Sequence, residues 1–188
     1  MDPSSIQKLS DEIKLYKYKE YFPKIGENVF LASGVKIIGN VEIGNNSSVW
    51  YNTVIRGDVH FIKIGDNTNI QDCSMLHVTN GKFPLNIGNN VTIGHSVSLH
   101  GCTLQNLCLV GIGAIVLDGA MVESNSMVAA GALVKQHFVV PEGKLVAGVP
   151  AKVIRNLTID EIKDIEAGSY RYVEYARITK KSLIENQF

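Results

Sequence analysis

The sequence predicts an all-β solenoid, a parallel β-helix of hexapeptide repeats, followed by a C-terminal α-helix. Three observations predict it: aliphatic residues recur every six positions, turn-forming residues fill the gaps between them, and the end of the chain changes to a helical pattern.

The six-residue phase runs through Leu31, Ile37, Ile43, Val49 and Ile55, then Ile64, Ile70 and Leu76, then Ile87, Ile93 and Leu99. It resumes at Leu104, Val110, Val116, Val122, Val128, Val134, Val140 and Val146. A period of six suits neither an amphipathic helix, whose apolar residues recur at three and four, nor an alternating strand of period two. Between the aliphatics stand "IGNNSS", "IGDNTN" and "IGNNVT", rich in residues that tolerate tight turns and positive φ. Each hexad therefore reads as a short strand plus a corner. Three hexads make one coil of a triangular prism whose periodic aliphatics stack inside. An antiparallel sandwich would not place nineteen aliphatics in one phase.

The phase slips three times: by nine residues from Ile55 to Ile64, eleven from Leu76 to Ile87 and five from Leu99 to Leu104. Each slip predicts an interruption of the prism wall. The second holds "VTNGKFPLN", whose Asn-Gly and Pro predict a loop protruding from a corner. After the repeats, Thr158 and Glu161 have capping-box spacing, and Ile162, Ile165, Tyr172, Val173 and Ala176 form a helical stripe. They predict a helix of about five turns lying along the prism. The chain thus divides into an N-terminal extension at 1–20, expected as a short helix that caps the open end or arranges a partner, a β-helix domain at 21–156, and a C-terminal helix and tail at 157–188.

Composition narrows the function. Lys and Arg number 18, Asp and Glu 18, so no basic footprint for nucleic acid or an anionic membrane surface exists. No apolar run approaches the roughly 20 residues of a membrane span, and "MDPSSIQKLSDEIK" has neither the basic start nor the apolar core of a signal peptide. A cytoplasmic protein is expected. Cys73, Cys102 and Cys108 are an odd number without a CxxC pair, which predicts reduced, packed thiols rather than disulfides or a zinc knuckle.

Three of the five histidines fall between Leu76 and Cys102. His77 and His100 each follow an inward aliphatic by one position, so both project outward. They are 23 residues apart, one coil plus a five-residue loop, which stacks them on one face. Strands about 4.8 Å apart allow two such imidazoles to share one metal. His95 lies on the preceding hexad and so on another side of the triangle. A rotationally symmetric trimer would set His95 of one subunit against His77 and His100 of its neighbour, giving a three-histidine site with a fourth position for water, as in catalytic zinc sites. His60 and His137 are read as surface residues.

Just upstream, Arg56 and Asp58 follow the inward Ile55, and Gln71 and Asp72 follow the inward Ile70. An Arg56 pair with Asp72 or Asp58 across a subunit boundary would hold the wall that carries the site. Gln71 could offer an amide to a metal-bound water or a substrate oxygen.

At these residues the sequence resembles the gamma-class carbonic anhydrase family, most closely its short bacterial members. The matching pieces are "NTVIRGD", "NIQD", "LHVT", "TIGHSVSLHGC" and "AGVPAK", in unbroken order over residues 18–175. The resemblance implies a homotrimer of left-handed β-helices with zinc, or iron (Fe2+) or cobalt (Co2+), at each interface. By position, His77 and His100 are then ligands from one subunit and His95 from the next. Arg56, Asp58 and Asp72 secure trimer and site, and Asn69 with Gln71 lines the pocket. The activity implied is attack of metal-bound hydroxide on CO2 to give bicarbonate. The best-characterised active members of the family carry a glutamate immediately after the "RGD" or "RSD" motif and another in a long acidic loop. Here Val59 takes the first position and "VTNGKFPLN" has no acid, so His60, Tyr170 and Tyr175 are the groups available to shuttle protons. The competing readings are a hexapeptide-repeat acyltransferase with a histidine base, an acyl-CoA thioesterase using the same metal water, and a non-catalytic metal-binding trimer.

Overall fold

Of the nineteen in-phase aliphatics, all but the partly exposed Leu31 are buried in the computed structural model, which describes residues 13–185. They form a parallel β-solenoid of about seven turns with one C-terminal helix. The first face stacks Leu31, Val49, Ile70, Ile93, Val110, Val128 and Val146 inward. The second stacks Ile37, Ile55, Leu76, Leu99, Val116 and Val134. The third runs from Ile25 through Ile43, Ile64, Ile87, Leu104 and Val122 to Val140.

Small residues fill a second inward column beside each stack, and the polar ones bond to the coil above. Thr53 Oγ1 donates to the Gln71 carbonyl at 3.0 Å, Thr68 Oγ1 to that of Gly88 at 2.9 Å and Ser74 Oγ to that of Gly94 at 3.1 Å. Cys102 and Cys108 occupy such columns, and burial pushes both thiols up to about 12. Cys73 does not pack. It is exposed because it takes a left-handed corner, φ 59°, in the same column as Asn52 and Ser96.

The slips are of three kinds. At the first, the wall is not interrupted: Val54–Ile64 is one strand that turns a corner, and Asp58–Phe61 bulge out between Gly57, paired with Gly39, and Ile62, paired with Val41. The second is the expected loop, closed by an antiparallel bridge between Thr79 and Phe83 with Gly81 at φ 59°. The third only tightens a corner, at Gly101. Before the repeats, the described part of the N-terminal extension is not helical. Lys14–Tyr16 is a strand, parallel to Lys36–Ile38, as the alternation of "KLYKY" and the packing of Leu15 on the core dictate. Residues 1–12 of that expected helix lie outside the described residues.

The C-terminal helix, Ile159–Glu185, has 27 residues, roughly seven turns rather than five. Nothing after Ser169 breaks it, since residues 170–185 contain neither Gly nor Pro. It lies on the first face and buries Ile165, Ser169 and Ala176, with Ile162, Tyr172 and Val173 half-buried. The capping box forms: Glu161 N donates to Thr158 Oγ1 at 3.2 Å and Thr158 N to Glu161 Oε2 at 2.8 Å. Side-chain hydrogen bonds from Arg155, then the backbone of Thr158, hold the Glu161 carboxyl down at about 2. That stabilisation is complete above the ordinary carboxylate range and is lost as pH falls toward 2. Thr158→Ala is expected to lower stability by about 1 kcal/mol, read as an earlier chemical-denaturation midpoint without change of slope. Among the described residues no helix is long and apolar enough to cross a membrane.

Candidate metal centre

The register places His77 directly beside His100 on the second face. His77 Nδ1 and His100 Nε2 face each other at 3.1 Å. Two nitrogens on one tetrahedral zinc, each about 2.0–2.1 Å from it, would stand roughly 3.3 Å apart, so the pair is spaced as two ligands of one ion. Their other ring nitrogens are taken by carboxylates: His77 Nε2 lies 3.0 Å from Asp58 Oδ1 and His100 Nδ1 2.7 Å from Asp118 Oδ1. Burial holds the His77 imidazole below the usual histidine range, the charges of Arg56 and His100 adding to this and Asp58 opposing it. The neutral form, which ligates metals, is thereby favoured.

His95 stands at the opposite edge of the same face, just before the left-handed Ser96. Its Nδ1 lies 2.7 Å from Asp72 Oδ2, at the same corner one coil earlier. His95 lies in the turn before the strand Ser98–His100 that carries His100. Among the described residues, no three His, Cys, Asp or Glu side chains of one chain are grouped to hold a metal. The donor set nevertheless fits one: each imidazole keeps one nitrogen on a carboxylate and leaves the other to ligate, the usual support of a metal-bound histidine.

Arg56 bonds Asp58 of its own strand at 2.5 Å, so this pair lies within the chain. Burial works to raise the Asp58 carboxyl, but hydrogen bonds from Arg56 and His77 with the Arg56 charge outweigh it and hold it low. Asn69 and Gln71 are buried. Gln71 Nε2 donates to Asn69 Oδ1 at 3.2 Å and Asn69 Nδ2 to Thr92 Oγ1 at 2.9 Å. Asn69 thus sits in a polar row on the helix-covered face and fixes the Gln71 amide.

The family model "Bacterial transferase hexapeptide (six repeats)" matches residues 22–57. The carbonic anhydrase of Geobacillus kaustophilus is 43% identical over 166 residues, covering 88% of this chain and 91% of that protein. The chain belongs to the gamma-class carbonic anhydrase family. The mitochondrial gamma carbonic anhydrase 2 of Arabidopsis thaliana is 47% identical over 161 residues, 83% of this chain. The chain spans 58% of that relative's length. The crystal structure of a hexapeptide transferase family protein from Anaplasma phagocytophilum is 44% identical, with a TM-score of 0.83 over 89% of this chain and 98% of that one.

This gamma-class chain also has features that its sequence did not disclose. Asp118, the partner of His100, is one of them. The other is a cavity of about 410 Å³ beside His95 and Asp72, walled by Trp50, Tyr51, Tyr172 and Tyr175. Trp50 stacks edge-on to Tyr172 at 5.6 Å, and Tyr172 to Tyr175 at 5.6 Å. Of the groups available as proton shuttles, Tyr175 lines this cavity, Tyr170 is exposed on the helix, and His60 lines a separate basin with Asp58. His137 is exposed, as expected, and stacks on Phe83 at 5.4 Å.

Proposed function

We propose that the protein is a metal-dependent carbonic anhydrase that hydrates CO2 reversibly to bicarbonate, as a homotrimer holding zinc, or ferrous iron or cobalt, at each interface. The observation that carries this reading is the histidine set. Three imidazoles each have one nitrogen on a carboxylate, and the remaining nitrogens of two face each other at 3.1 Å.

The third ligand, His95, would come from a neighbouring subunit, and the surface supports that arrangement. Met75 and Ile115 stand exposed on the face that carries His77 and His100, and Ile112 stands exposed at the His95 corner, one coil on. Exposed apolar residues on that face and at that corner of one chain suit a head-to-tail contact, which closes as a ring of three when successive subunits are turned by a third of a revolution.

A divalent ion held by three imidazoles lowers the pKa of a bound water to about 7, supplying a nucleophile at neutral pH. The chain does the rest. Asp58 keeps a proton on His77 Nε2 and Asp72 one on His95 Nδ1, so that His77 Nδ1 and His95 Nε2 remain lone-pair donors. Gln71, one amide hydrogen spent on Asn69, has a second to offer a substrate oxygen. With Val59 and the acid-free loop in place of glutamates, a proton would pass to solvent through Tyr175, the one of His60, Tyr170 and Tyr175 that lines the cavity beside His95.

The test is stopped-flow CO2 hydration by protein loaded with zinc or, anaerobically, with ferrous iron, its metal content checked. A metal-dependent rate far above buffer is expected. No rate at full occupancy would sink the hydratase. The aromatic cavity, far larger than CO2 requires, favours a second reading in which the same centre cleaves an acyl-CoA thioester, and those thioesters would be the next substrates.

A further inference from the structure

The loop Val78–Pro84 carries no acid and no shuttle, yet it is tied to the site. Thr79 Oγ1 donates to Asp118 Oδ1 at 2.9 Å, the same oxygen that lies 2.7 Å from His100 Nδ1. Gln136 Nε2 reaches Asp118 Oδ2 at 3.4 Å. Three groups on three different segments thus converge on one carboxylate. Space for it is kept by Gly101, where a Cβ would lie 2.3 Å from Asp118 Oδ1. The loop itself is anchored by Phe83, which packs at Gly101 and Gly119 and stacks on His137, and by Gly81 N donating to the Val59 carbonyl at 3.3 Å.

The geometry points to Asp118 and Thr79 as positioning residues for His100: the loop aims the Asp118 carboxylate, and the carboxylate fixes the imidazole with its Nδ1 proton inward and Nε2 toward the ion. A carboxylate bonded by a hydroxyl cannot swing away from the ring without losing that bond, and an imidazole with its Nδ1–H so engaged has one tautomer and one orientation. The loop, which from its sequence reads only as a protrusion, is on this account part of the metal centre's support.

This inference rests on the metal-site reading above, and the experiment separates the two. Zinc affinity is measured by chelator competition on the full chain, with the visible spectrum of the cobalt-loaded protein as a second readout of coordination. Asp118→Ala is expected to weaken zinc about 10- to 100-fold, as loss of such support generally does, and to change the cobalt spectrum. Thr79→Val, nearly the same size but without the hydroxyl, should weaken zinc in the same direction by less, and Thr79→Ser should restore wild-type affinity. The Val and Ser pair decides the matter even if Asp118→Ala does not fold. Wild-type affinity in Thr79→Val, or in a folded Asp118→Ala, would overturn the inference and leave the metal site standing. A wild-type protein that binds neither zinc nor cobalt would overturn the metal site itself.

Discussion

Replacing His95 with alanine is expected to leave a folded solenoid that no longer retains one zinc per subunit. The side chain is 45% exposed at a corner, where a substitution changes stability by about 0.5 kcal/mol or less, and Asp72, itself 33% exposed, can be satisfied by water in its absence. Zinc affinity should fall by more than the about 100-fold cost of losing a supporting residue, because a donor is gone. The interfacial assignment adds a sharper expectation. If His77 and His100 of one subunit meet His95 of the next, then His95→Ala and His77→Ala chains, each metal-poor alone, complement each other when co-expressed. Random assortment around a head-to-tail ring makes about one interface in four complete. Zinc content and hydration rate should recover to about that fraction of wild type. A His95→Ala protein that keeps one zinc per subunit, or a mixture with no recovery, would refute the shared site.

How much of this was legible in the sequence follows from what each feature depends on. The solenoid was, because an aliphatic at every sixth position has one way to be buried, and the stacking of His77 on His100 followed from counting coils. The helix was read too short because the stripe fades after Ala176, where Ile178 faces out and Thr179 in. Asp118 escaped because the coil that contains it is irregular. Leu99 pairs with Val116, 17 residues on, so Asp118 stands over Gly101 and reaches His100 only because glycine leaves room. A count of 18 per coil places it directly over His100, where no residue type marked it as a partner. Thr79 lies in a loop whose path no periodicity fixes. The aromatic cavity needed the helix to be laid on the first face, which sequence suggests only as "along the prism".

Leu76→Ala is expected to have the largest effect on stability and to damage the metal centre as well. Leu76 is fully buried between Ile55 and Leu99, and removing three carbons from such a site costs about 2–5 kcal/mol, depending on how far the neighbours close the cavity. Closing it moves the backbone of Met75–His77, and with it His77 relative to His100, whose spacing of 3.1 Å leaves little room for error. Leu104→Ala is the control. Leu104 is equally buried, but on the third face, between Ile87 and Val122, and each coil of a solenoid touches only its neighbours. Both variants should unfold at similarly lowered denaturant when compared at one protein concentration, since assembly contributes to apparent stability. Only Leu76→Ala should also lose zinc affinity. Equal loss in the two would mean that the histidine pair is held by the stability of the whole prism rather than by the stack beneath it.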